Sequence, residues 1–542
     1  MAGVHRRSVT APQLDWSAEE ARLIASITTP GRGFYALMGA LAAIVVWGGI
    51  AYAVQLRDGL GVTGLRNNVM WGVYITNFVF FIGVSHVGAL MSAILRITGA
   101  EWRRPITRMA EAITFASLLM GAIMPVVDMG RPDRLLNLLL HGRLQSPILW
   151  DVLSITTYLT GSTIFLLLPM IPDIAMLRDR LPDLPGWRRA LYRILSFGWR
   201  GTPDQWQRLE RAVGVMAILI IPVAISVHTV VSWIFGMTLR AGWNSTIFGP
   251  YFVFGALYSG AAAVVTAMAV FRRAYRLGHY LTEDHFRRMG YLVLALGLIY
   301  GYFTFAEYLT PGYKMARAER GYLNAVLTGE FAVPFWFAQI GGILLPVLLL
   351  TVPRIRWVLA FRRIPLLRPR PLLASGLAAA LAYLVVHTQI PLAGAHTTFH
   401  FTLFRIAIVL LGLGAVASLP YLHEKPIHAA VIASVLVNAG AWVKRYVIVV
   451  PTLLNPFLPI QDVPAGWEIY RPTWVEWSIT AAAFAGFTLV YALFSRLFPI
   501  VSIWETREAQ TDEQTRGVHP HEKRSLFHSG QVEGRAADVP LA

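Results

Sequence analysis

Twelve stretches of roughly twenty mostly apolar residues recur along this 542-residue chain, and nothing in the sequence constrains its fold more. A helix rising 1.5 Å per residue needs about 20 residues to cross a hydrocarbon core of about 30 Å, and lipid offers no partner to an unpaired backbone group. The stretches lie near 33–56, 69–97, 109–128, 149–171, 212–238, 248–271, 289–310 and 331–352, then near 371–387, 401–419, 428–450 and 474–497. They predict an all-α, polytopic integral membrane helical bundle of about 12 transmembrane helices. Composition agrees: 56% of the residues are apolar and 14% charged, against about 25% charged in an ordinary soluble domain.

The net charge of +17 would suit nucleic acid if it lay on one soluble face, but the arginines fall in short loops between apolar runs. With the N-terminus inside, the inner loops carry about 23 Lys or Arg and the outer ones about 10, which places both termini in the cytoplasm. The first apolar run is too long for a signal peptide and is expected to remain as a span. The chain has no cysteine, so disulfides, thiolate-held iron–sulfur clusters and covalently attached haem c are excluded in it. Any redox role must borrow its metal centres from other polypeptides.

The organisation expected is a cytoplasmic segment over 1–32, a transmembrane core of two four-helix bundles over 33–352, an inserted helix pair over 353–427, a C-terminal helix pair over 428–504 and a cytoplasmic polar tail over 505–542. Residues 172–211, where Trp187, Trp199 and Trp206 interleave with Arg and Leu, read as amphipathic helices at headgroup level. A weak repeat relates spans one to four with five to eight: Arg108-Met109 leads to Asp128 as Arg288-Met289 leads to Glu307.

Ionisable groups within apolar runs cost about 2.5–3.5 kcal/mol each on insertion scales and so mark polar cavities or proton routes. His86 lies in Gly83-Val84-Ser85-His86-Val87-Gly88, among small residues that let helices approach closely. A neutral histidine takes and releases protons near physiological pH, which suits it to a quinol hydroxyl; the plain alternative is a histidine bonding a neighbouring helix. Asp128, Arg131 and Arg134 close the third span and Asp151 opens the fourth, a cluster that reads either as a proton-accepting pocket or as surface salt bridges. Glu307, Tyr308 and His228 are candidates for a proton path. Lys444 and Arg445 read more simply as structural, by snorkelling, by pairing with Glu476 or by holding a lipid phosphate.

Several separated motifs resemble the NrfD/PsrC-like membrane subunits of quinol-linked redox complexes. They are Ser85-His86-Val87-Gly88, Trp102-Arg103, Met109-Ala110-Glu111-Ala112, Gly130-Arg131-Pro132, Trp150-Asp151-Val152, the run from Arg445 to Thr452 and Pro472-Thr473-Trp474-Val475-Glu476-Trp477. The resemblance covers roughly 30–352 and 428–505, and the closing run from Leu497 to Glu505 is most similar to the ActC subunit of bacterial alternative complex III. It implies a multi-pass subunit of the bacterial cytoplasmic membrane, inactive alone, that oxidises menaquinol or ubiquinol. Its implied partners are an iron–sulfur/molybdopterin-like subunit, a multihaem c-type cytochrome and a second NrfD-like subunit, which hold the clusters and haem that this chain does not. The catalytic candidates it carries over are His86, Asp128 and Asp151, with Arg131 and Arg134 completing the quinol pocket. Two other readings remain: the membrane anchor of a polysulfide-type molybdoenzyme reductase, and a non-redox secondary transporter.

Overall fold

A computed structural model describes residues 23–24, 27–28, 30–181, 184–352, 369–389, 397–456 and 469–507. The expectations for most of the 1–32 segment, for 353–368 of the insertion and for the tail beyond 507 fall outside the described residues. Every regular element among them is helical: α1 (Arg32–Asp58), α2 (Val73–Ile97), α3 (Arg104–Asp128), α4 (Pro147–Leu167, prolonged by a turn into Ile171–Arg180), α5 (Gly186–Leu195), α6 (Pro203–Gly236) and α7 (Phe248–Ala274). There follow α8 (Glu283–Lys314), α9 (Arg317–Leu327), α10 (Ala332 to Thr351), α11 (Pro369–Gln389), α12 (Thr397–Glu424), α13 (Pro426–Leu454) and α14 (Trp474–Leu497).

Ten of these are long and apolar enough to cross a membrane among the described residues. The other two of the twelve expected stretches also form helices, α11 and α12, of 21 and 28 residues. Local signals set the ends. Thr202 and Gln205 form a capping box at the start of α6, and at the start of α14 the Glu476 carboxylate accepts the Thr473 backbone N–H at 2.9 Å, each satisfying backbone N–H groups that have no partner within the helix. Arg96, Arg104, Arg180 and Arg272 lie at helix ends of one face, here called the basic face; Asp128, Gly236 and Lys314 end their helices at the far face.

The expected repeat is offset by one span. Helices α2, α3, α4 and α6 pack as one four-membered group, and α7, α8, α10 and α13 as the other, joined where α7 meets α2 and α6. The first span stands outside both: α1 packs on α14 at the periphery. Arg108 and Arg288 then open the second helix of each group, and the insertion α11–α12 separates the last helix of the second group from its three companions. Burial follows this arrangement, with 89% of the apolar window of α2 buried against 11% for α1, so α2 is the hub and α1 lies at the periphery.

Small residues allow the close crossings. A Cβ on Gly88 would overlap the backbone of Ala110 on α3, and one on Gly260 the side chain of Val87. Gly342 of α10 and Gly440 of α13 touch backbone to backbone, inside a π-helical stretch Phe337–Leu344. The carbonyl of Gly342 there accepts the Tyr258 hydroxyl at 3.1 Å. Because the obstruction is backbone, Gly440→Ala must separate the two helices. The expected cost is about 1–3 kcal/mol, read as a lowered midpoint of heat unfolding, and an unchanged midpoint would mean that the helices do not meet this way.

Candidate functional site

The site is assembled where the two helix groups meet. His86 sits near the middle of α2 and is wholly buried. Its Nδ1 faces the Ile82 carbonyl at 2.6 Å and its Nε2 the Ala224 carbonyl of α6 at 2.8 Å. A neutral imidazole has one N–H, so it can donate to one of these oxygens; a ring protonated on both nitrogens donates to both. Both ring nitrogens are thus engaged by helix backbone, one in α2 and one in α6. His228 of α6 lies against it, ring centroids 4.5 Å apart, and Tyr158 of α4 at 5.1 Å on another side.

His228 is buried and its Nδ1 has no hydrogen-bond partner. It borders a small cavity shared with Tyr251, Phe252, Gly255, Tyr300 and Arg445. The Arg445 guanidinium crosses from α13 to donate to the Gly255 carbonyl at 3.2 Å and to the Ser259 hydroxyl at 3.3 Å, and Gly83 of α2 leaves room for it.

Toward the far face the polar groups continue. Tyr251 stacks on Tyr300 at 5.1 Å and accepts a 3.3 Å hydrogen bond from Thr304. The Lys444 ammonium is buried, donates to the Tyr308 hydroxyl at 2.9 Å and lies over the rings of Tyr308 and Phe335 at 4.3 and 5.6 Å. Tyr308 in turn reaches Tyr322 at 3.5 Å, and the neighbouring Glu307 accepts from Ser245 at 2.7 Å. The alternatives in which Lys444 snorkels or pairs with Glu476 are therefore corrected. Glu476 is fully engaged elsewhere, by the Tyr470 hydroxyl at 2.6 Å and by the backbone N–H groups of Gly64 and Thr473 at 2.6 and 2.9 Å.

At the far face two carboxylates stand out. Asp128, the last residue of α3, and Asp151, in the first turns of α4, are both buried, and Oδ1 of each has no hydrogen-bond partner. Beside Asp128, Gln55 donates to the Val127 carbonyl at 2.8 Å and accepts from Tyr74 at 2.7 Å. Arg131 and Arg134 do not enter this group: both are exposed, and Arg131 pairs with Asp133 at 2.8 Å. That hydrogen bond holds the Asp133 carboxyl below the usual carboxylate range. Nor does His86 join the two aspartates, since it lies half a helix length deeper, about 18 Å along the axis. The residues expected in one pocket thus lie apart: His86 is beside His228 at mid-depth, Asp128 and Asp151 are buried at the far-face ends of α3 and α4, and Arg131 and Arg134 are exposed.

Three buried acids gave no distinct signal in the sequence. Glu111, inside the Met109 to Ala112 motif, accepts from Ser92 at 2.5 Å. Asp173 lies in what reads as a polar loop, yet it binds Arg108 at 2.6 Å and receives the backbone N–H groups of Ile503 and Trp504. Glu476, legible only as a counter-ion, is the third. Among the described residues no group of three or more His, Cys, Asp or Glu could hold a metal ion.

The family profile described as "Polysulphide reductase, NrfD" matches residues 61–368. The chain is 26% identical over 323 residues to the C subunit of the selenate reductase of Mesobacillus selenatarsenatis, covering 58% of this chain and 74% of that protein. It is 28% identical over 343 residues to the C-type membrane component of a putative dimethyl sulfoxide reductase of Halobacterium salinarum, covering 62% and 73%. Against the "Hdr-like menaquinol oxidoreductase integral membrane subunit" of Archaeoglobus fulgidus it is 22% identical over 335 residues, covering 60% and 74%.

Proposed function

The chain belongs to the NrfD family of polysulphide-reductase-type membrane subunits, and from that premise we propose that it oxidises a membrane quinol within a larger oxidoreductase. Oxidation of one quinol yields a quinone, two protons and two electrons. The observation that carries the proposal is the pair of buried carboxylates, Asp128 and Asp151, each with an oxygen left free of hydrogen bonds at the far face. A buried acceptor without a donor is costly unless something supplies one, and a quinol hydroxyl supplies the bond and then the proton. The electrons leave for iron–sulfur and haem c centres of partner subunits, because a chain without cysteine cannot ligate clusters through thiolates.

The basic face is the cytoplasmic one on the positive-inside rule, so quinol is oxidised at the outer side of a bacterial cytoplasmic membrane. Half-buried Glu307 and Tyr308 and buried Lys444, Arg445, His228 and His86 form a polar file from the far face to mid-depth, suited to moving protons when waters fill its gaps. His86 and His228 act in that file. Removing Glu307 as Glu307→Gln is expected to lower the number of protons moved per quinol, measured in vesicles holding the complex; an unchanged number would take Glu307 out of the file.

The closing run from Leu497 to Glu505 favours an alternative complex III arrangement, with a multihaem cytochrome and a second NrfD-like subunit. The names of the selenate and dimethyl sulfoxide reductase relatives favour the other reading, in which the partner is a reductase of a terminal acceptor. Both use the same quinol oxidation in this subunit. Purification of the tagged chain in mild detergent separates them: haem c with the complex supports the first, molybdopterin without haem c the second. A lone chain without redox partners or quinol oxidation would overturn both in favour of transport.

A further inference from the structure

We propose that α5 and the turn after it form a fixed foot on the basic face that binds the phosphates of anionic phospholipids in the adjoining leaflet. The helix has three faces. One is fastened to the protein: Tyr192 is buried and donates to the Leu497 carbonyl at 2.6 Å, while Arg188 bonds the Tyr192 hydroxyl at 2.8 Å and the Arg496 carbonyl at 2.6 Å. The foot is therefore held in place before any lipid arrives.

A second face is apolar yet uncovered, with Trp187, Ile194 and Phe197 exposed at 63, 68 and 66%. At about 100° per residue Trp187 and Ile194 fall within about 20° of each other, so they form one stripe. α5 lies between the basic-face end of α4 and the start of α6. That position puts the stripe at the level where a leaflet begins, and the acyl boundary is the surface that covers it.

The third face carries Arg189 and Arg193, one turn apart and about 110° (Arg193) to 150° (Arg189) round from the stripe, within reach of headgroup depth through their long side chains, followed by Arg200 in the turn. All three are exposed and none has an ion pair among the described residues. Several other guanidinium groups on this face find carboxylates: Arg178 pairs with Asp179, Arg96 and Arg103 with Glu505, and Arg104 with Glu101. With the stripe seated in the acyl boundary, Arg189, Arg193 and Arg200 stand at headgroup depth, where a lipid phosphate completes them. The inference needs only that the chain spans a membrane, so it survives failure of the quinol reading.

The test uses the intact complex, delipidated and then equilibrated with mixed micelles of phosphatidylglycerol and phosphatidylcholine, with retained lipid measured by native mass spectrometry. The wild type is expected to retain phosphatidylglycerol preferentially. Each surface arginine contributes about fivefold to attraction toward anionic lipid, so Arg189→Gln/Arg193→Gln should lower that preference roughly 30-fold. Arg317→Gln/Arg320→Gln, on the far face, should leave it unchanged, and Trp187→Ser should weaken retention of both lipids alike. Unaltered heat unfolding in lipid-free detergent checks that the variants fold. Preference that persists in Arg189→Gln/Arg193→Gln, that falls equally in the far-face control, or that millimolar inorganic phosphate abolishes would overturn the proposal.

Discussion

Replacing Asp128 with asparagine is expected to slow quinol oxidation by the assembled complex about 10²–10⁴-fold, the range over which a positioned proton acceptor acts. Asparagine keeps the size and one carbonyl oxygen, so packing at the end of α3 changes little, but the amide cannot take up a proton. The carboxylate is buried, its Oδ1 is unbonded, and Gln55 and Tyr74 fix the surrounding backbone. Asp151→Asn should act in the same direction. Arg131→Gln is the contrast: its side chain is exposed and holds only Asp133, so oxidation should fall less than about threefold. Steady-state assays on complexes of equal partner content check all three, and equal losses in Asp128→Asn and Arg131→Gln would place the site elsewhere.

The second large effect concerns stability. Arg108 and Asp173 form a buried ion pair at the basic end of the bundle, 3 and 0% exposed. Arg108 also donates to the Pro499 and Pro169 carbonyls, and Asp173 accepts the backbone N–H groups of Ile503 and Trp504. One pair thus fastens α3, α4 and the segment that follows α14. Arg108→Met leaves Asp173 charged and buried without its cation, a cost of about 3–5 kcal/mol. The expected result is a markedly lower unfolding midpoint and rapid proteolysis of the segment after Leu497. Arg108→Met/Asp173→Leu should regain part of the loss by removing the uncompensated charge. A midpoint equal to the wild type in the single variant would mean that the pair is solvated.

How much of this was legible in the sequence depended on whether a signal was local. The spans followed from run length, because apolar runs of about twenty residues are local in the sequence. Helix grouping was not legible, because α1 is as apolar as its neighbours and only contacts show that it sits beside α14. His86 and His228 were visible as polar residues in apolar runs, but 142 positions separate them in sequence and only packing puts their rings 4.5 Å apart. Lys444 and Arg445 looked like a snorkelling pair because adjacent cations near a span end usually do so. Their helix continues nine or more residues past them to Leu454, which leaves both inside the protein. Glu111 and Asp173 were missed because each sits within one turn or so of arginines that suggest a solvated helix end.

Delivery of electrons from quinol to partner centres can be watched by mixing the purified complex anaerobically with one equivalent of menaquinol and following the partner iron–sulfur and haem absorbance. Prompt reduction of those centres is expected in the wild type, and reduction at least about 100-fold slower in Asp128→Asn. Centres that dithionite reduces but menaquinol does not, in an intact wild-type complex, would contradict quinol oxidation by this chain.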